Sequence, residues 1–94
     1  MDIKLLQFTN GDVIIGYYDN DVIKNPFLLT YHVHKQEDGP VLSLIPYALF
    51  TVEHSINVNP VNVIWKANPN KYMIEDYKLA VDRVHNPPEG ETIA

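Results

Sequence analysis

Ninety-four residues leave room for one domain, because two cores of useful size do not fit a chain this short. A composition 46 % hydrophobic and 20 % charged excludes disorder for most of the chain. Twelve acidic against seven scattered basic residues, net -5, oppose any general affinity for polyphosphate and exclude a duplex-DNA partner, and the absence of cysteine removes disulfides and thiol metal sites.

Residues 3–9 form a short apolar segment, and Asn10-Gly11 has the chemistry of a two-residue hairpin turn with positive φ angles. The strand over residues 13–18 is apolar on both faces, with Val13, Ile15 and Tyr17 on one and Ile14 and Tyr18 on the other, so both must be covered. Gly16 in its middle marks a bend or a close backbone approach, which suits a small, strongly bent barrel. Asp19-Asn20-Asp21 is turn-rich. Pro26 then opens an alternating run with Phe27, Leu29, Tyr31 and Val33 inward and Leu28, Thr30, His32 and His34 outward. Glu37-Asp38-Gly39-Pro40 closes a second hairpin, residues 41–45 return, and Pro46 makes an edge or a bulge. Residues 47–58 carry further strand chemistry, and residues 61–66 are the last strand.

Asn68 is the expected N-cap of a helix with Pro69 at its first position. Met73, Tyr77, Ala80 or Val81, and Val84 recur at spacings of three and four and give it one apolar face, so it docks on something. Asn86-Pro87-Pro88 ends it, and residues 86–94 are expected to be a mobile tail. The fold class is therefore mainly β, a five-stranded open barrel over residues 2–66 with one C-terminal helix over residues 69–85. The N-terminus has neither a basic leader nor a long apolar core, so a cytoplasmic protein with no membrane partner is expected.

The run Leu5-x-x-x-x-Asn10-Gly11-x-Val13-x-x-Gly16, followed by Asp21-x-x-x-Asn25 ahead of Phe27-Leu28-Leu29, resembles the first motif of the Sm and Sm-like (LSm) family. The segments Thr9 to Gly16 and Lys24-Asn25-Pro26 are similar to those of small Sm-like proteins of tailed phages, which implies a phage origin and a host cytoplasm. The resemblance implies a closed homo-oligomeric ring of five to seven subunits, in which the fourth strand of one copy pairs with the fifth of the next. It also implies single-stranded RNA or a host RNA-processing protein at the inner rim, with Asp21, Asn25 and Asn59 nearby. Phe50, Val52, Val63 and Trp65 are the candidate apolar interface residues, as much core as interface. The chain differs from the family in carrying Asn59-Pro60 where a basic pair normally precedes the last strand, in lacking an N-terminal helix, and in a Gly16-to-Asp21 spacing one residue short. The first difference and the acidic balance favour a second reading, a protein-interaction or scaffolding ring without RNA.

Each of these residues also has a plainer role. Asp21 and Asn25 are common turn formers, and Tyr18 is either a stacking platform for a base or a core side chain. His32 and His34 share a strand face, as two imidazoles on one metal would, with His54 a third only if the register brings it in, and a solvated face explains them better. The carboxylate pairs Glu37-Asp38, Glu75-Asp76 and Asp19/Asp21 lie in turns or on an exposed helix face, and the chain has no phosphate loop, nucleophile turn or thiol. No enzyme activity, cofactor or metal is expected.

Overall fold

A computed structural model describes residues 2–33, 40–47 and 54–85. Within them six antiparallel strands form one sheet, and a single helix follows. The strands are β1 (Asp2–Phe8), β2 (Val13–Asp19), β3 (Val22–Val33), β4 (Pro40–Pro46), β5 (Ser55–Asn57) and β6 (Val63–Ala67). A 3₁₀ turn at Pro60–Asn62 precedes β6, and α1 spans Lys71–His85. The sheet order is β4-β3-β2-β1-β6, with β5 also on β3, so among the described residues the sheet is open and has two edges.

The expectation of five strands is corrected to six, because two described segments, β4 and β5, pair with different parts of β3. β4 pairs with the C-terminal half of β3 as far as Phe27↔Pro46, and β5 pairs with its N-terminal end from Lys24↔Ser55. The two segments lie along the same side of β3, one after the other. Between them the Tyr47 N–H donates to the Pro26 carbonyl at 2.9 Å, and the Asn25 N–H donates to the His54 carbonyl at 2.6 Å. The stretch of β3 between these pairings holds a bulge: Gly16 alone of β2 opposes Asn25 and Pro26 of β3, and Asn25 takes a left-handed φ of 50°. Pro26 thus lies inside β3, not at its start. It is tolerated because a bulged residue donates no ladder bond.

Gly16 meets the expectation of close approach. A Cβ there would lie 2.6 Å from Ile23 Cγ1 and 3.0 Å from the Lys24 carbonyl oxygen. The hairpin turns fall differently from expectation. At Asn10-Gly11 the loop has three residues, 9–11, with the Gly11 N–H donating to the Phe8 carbonyl and only Gly11 at positive φ, 95°. This is a type I turn closed by a left-handed glycine. The two-residue turn is instead Asn20-Asp21, both at positive φ (48° and 59°), between Asp19 and Val22.

Both faces of β2 are covered, as its composition required. Leu6, Ile14, Ile23 and Val58 form one core, with Phe8, Tyr18, Leu28, Ile56 and Val63 packed on it. Ile15, Phe27 and Tyr77 form the other, beneath the helix residues Met73, Ala80, Val81 and Val84. Leu28, expected outside, therefore packs inside. Tyr31, expected inside, is 64 % exposed.

Tyr77 anchors the helix. It is fully buried, stands edge-on to Tyr17 and Phe27 at 5.6 and 5.8 Å, and its hydroxyl donates to the Asn25 carbonyl at 2.8 Å. Burial pushes its phenol pKa well above the ordinary value.

The helix begins two residues later than expected. Asn70 Oδ1 accepts from the Met73 N–H at 2.9 Å and is the cap, while Asn68 Oδ1 accepts from Lys4 Nζ and Pro69 is buried. The first turn then carries no acidic residue, and Arg83 and His85 occupy the last. The last strand likewise starts at Val63, because Asn59 Oδ1 accepts from the Val61 N–H at 3.1 Å and starts the 3₁₀ turn. No helix among the described residues is long and apolar enough to cross a membrane.

Candidate functional site

The β2–β3 turn and the connection into β6 meet at one end of the sheet. The Val58 N–H donates to the Asp21 carbonyl at 2.7 Å, which holds Asn59 beside the Asn20-Asp21 turn. The Tyr18 hydroxyl donates to Asp21 Oδ1 at 2.8 Å, and Lys66 Nζ lies 5.2 Å from the centroid of the Tyr18 ring. That bond to Asp21, helped by partial burial, raises the Tyr18 pKa, so the phenol stays neutral and keeps donating at ordinary pH. The result is a small platform with an aromatic ring, one cation above it and one carboxylate.

Of the four residues selected from the sequence, Tyr18 and Asp21 thus come together; the Val58–Asp21 bond brings the Asn59 backbone near, but the Asn59 side chain turns to cap the 3₁₀ turn. The fourth lies elsewhere. Asn25 sits at the bulge, with its N–H on the His54 carbonyl, its carbonyl on the Tyr77 hydroxyl and its side-chain oxygen 3.0 Å from His85 Nε2. It joins β3 to the helix, and its side chain is committed there. Lys66 was not selected from the sequence. The register that pairs it with Leu6 places it, and residue order within one strand carries no such signal.

Asn59 has a second setting. With Phe8, Asn10, Tyr47, Asn57 and Asn62 it lines a depression of about 430 Å³ that holds several amides and no charged side chain. Amides in an uncharged, partly aromatic hollow offer paired donors and acceptors to a base edge or a peptide backbone. Tyr47 closes one side, its hydroxyl donating to Asp12 Oδ2 at 3.3 Å.

Of the interface candidates, Val63 packs partly into the first core, and Trp65 is 40 % exposed with Nε1 donating to Gln7 Oε1 at 2.6 Å. Phe50 and Val52 lie outside the described residues, as do His34, Glu37, Asp38 and the tail beyond residue 85. Among the described residues no three His, Cys, Asp or Glu side chains converge as a metal cluster. No protein-family model matches this chain, and no curated protein matches it.

Proposed function

We propose that this chain is an Sm-like self-assembly module whose copies join edge to edge into a closed homo-oligomeric ring. The observation that carries this reading is the pair of open sheet edges, each bearing apolar side chains in water. On one, Ile64 and Trp65 of β6 are exposed, with Val61 in the turn before them; on the other, Leu42 and Ile45 of β4, with Tyr47 just after it. Unpaired edges with apolar residues are what natural sheets avoid, by cover, charge or pairing. One edge leads into a groove of about 250 Å³ between β4 and α1, lined by Leu42, Leu44, Met73 and Leu79 together with the charged Asp76 and Arg83, and its apolar part is a receptive surface for the Ile64 and Trp65 side chains of a neighbour. Two different edges make a head-to-tail contact, which closes into a ring when the rotation per subunit divides a full turn. Light scattering on the purified chain is expected to give a mass five to seven times that of the 10.8 kDa subunit. A monodisperse monomer at micromolar concentration ends the proposal.

The Tyr18–Lys66 platform favours single-stranded RNA as the ligand of the ring rim. A base stacks on tyrosine without regard to sequence; here it takes the place over the ring that the Lys66 ammonium holds in the free chain, and the displaced lysine meets its phosphate. With one cation per subunit, binding depends on the ring repeating it. Tyr18→Ala is expected to lower the affinity for short U-rich or A-rich RNA at low salt by about 1–3 kcal/mol per stacked base. Wild-type chain that retains no such RNA leaves a ring with a protein partner, which the net charge of -5 and the engaged Asn25 favour.

A further inference from the structure

We infer that His54, His85 and Asn25 form a binding site for one divalent first-row transition cation, which ties the C-terminal turn of α1 to the bulge in β3. Three elements converge there: the residue before β5, the last residue of α1 and the bulge of β3. The two imidazole rings stand 5.2 Å apart between centroids, at 79° to each other. Zn–N bonds of about 2.0–2.1 Å put two imidazoles on one tetrahedral ion at roughly this centroid separation. Asn25 Oδ1 lies 3.0 Å from His85 Nε2, shorter than the roughly 3.4 Å edge of a tetrahedron with bonds near 2.1 Å, so an ion taken up between them draws the two donors slightly apart.

The three side chains line a crevice of about 10 Å³ whose other walls are Pro26, Phe27, Pro46 and Val84. That volume holds a single water or ion, and the apolar walls exclude competing polar contacts. Two neutral imidazoles and one amide oxygen suit zinc, copper or nickel and not the oxygen-seeking magnesium or calcium. The donors leave positions open for water. His54 is held for this role by a left-handed backbone, φ 50°, and by its carbonyl bond to the Asn25 N–H.

Calorimetric titration of untagged, chelator-treated full-length chain with Zn²⁺ tests the site, with melting temperature as a check on folding. One ion per chain is expected, with melting temperature rising as Zn²⁺ is added. Losing an outer-shell partner costs a metal site roughly 10–100-fold, and His85→Ala or His54→Asn, which removes a ligand, is expected to cost at least that. Asparagine at position 54 accepts the left-handed backbone. Asn25→Asp, which keeps the backbone preference and supplies a carboxylate, is expected to tighten binding, a gain that a merely structural asparagine would not produce. The double variant His32→Ala/His34→Ala is expected to bind as wild type. No saturable binding, binding unchanged in His54→Asn or His85→Ala, or binding lost only with His32 and His34 overturns the inference.

Discussion

Tyr77→Ala is expected to lower the unfolding free energy by about 3–5 kcal/mol, read as a fall in the urea midpoint at unchanged slope. For a domain of this size that is most of the available stability. Three losses combine. The ring leaves a cavity between Tyr17, Phe27 and the helix, where it is now fully buried. The hydroxyl leaves the Asn25 and Lys24 carbonyls, at 2.8 and 3.3 Å, without their donor. The helix then has no fully buried side chain, since Met73, Ala80, Val81 and Val84 are only partly covered. Tyr77→Phe separates the terms: the ring stays, and the loss falls to about 1–2 kcal/mol for the hydroxyl.

The same phenol sets an alkaline limit. Its folded-state pKa lies above the unfolded value of 10.0, so its contribution is complete below about pH 10 and is lost as pH rises beyond that. Tyr47, through partial burial and the nearby Asp12, and Tyr18, through its bond to Asp21, act in the same direction. Tyr77→Phe is expected to remove the largest part of this alkaline loss.

What could be read from the residues in order was whatever depended on local pattern. Ile14 and Ile15 side by side, with Gly16 following, announced a strand covered on both faces and pressed against a neighbour, and both are found. The three-and-four spacing from Met73 to Val84 found the docking face of the helix. Choices among equivalent local signals were not legible. Asn-Gly and Asn-Asp both suit a hairpin, and the pairing of Asp19 with Val22 decides which becomes the two-residue turn. Asn68 and Asn70 are equally good caps until Lys4 engages the first across the sheet. Asn25 illustrates the limit for the site: four residues after Asp21 it looks like a partner in one loop, but the two-against-one bulge turns it toward α1. His54 and His85, 31 positions apart, meet only because that bulge and the helix end coincide.

If copies join as proposed, Ile64→Lys is expected to abolish the ring, with the light-scattering mass falling to that of one subunit. Ile64 is 58 % exposed on β6, and within one chain it belongs to neither core. A surface change of this kind moves subunit stability by no more than about 0.5 kcal/mol, so folding and assembly separate in one variant. In the ring the same side chain would be covered by the neighbour's β4 edge. A lysine there must either desolvate its charge or hold the edges apart, and edge lysines are how natural sheets prevent such pairing. Because the proposed contact is head-to-tail, Leu42→Lys on the opposite edge is expected to act alike, and mixing the two variants is expected to fail to restore rings. Each variant still presents one intact edge, so the mixture reaches a dimer and stops. Glu75→Lys, on the exposed side of α1, is the control and leaves the mass unchanged. Rings that survive both edge substitutions would show that the open edges are not where the copies meet.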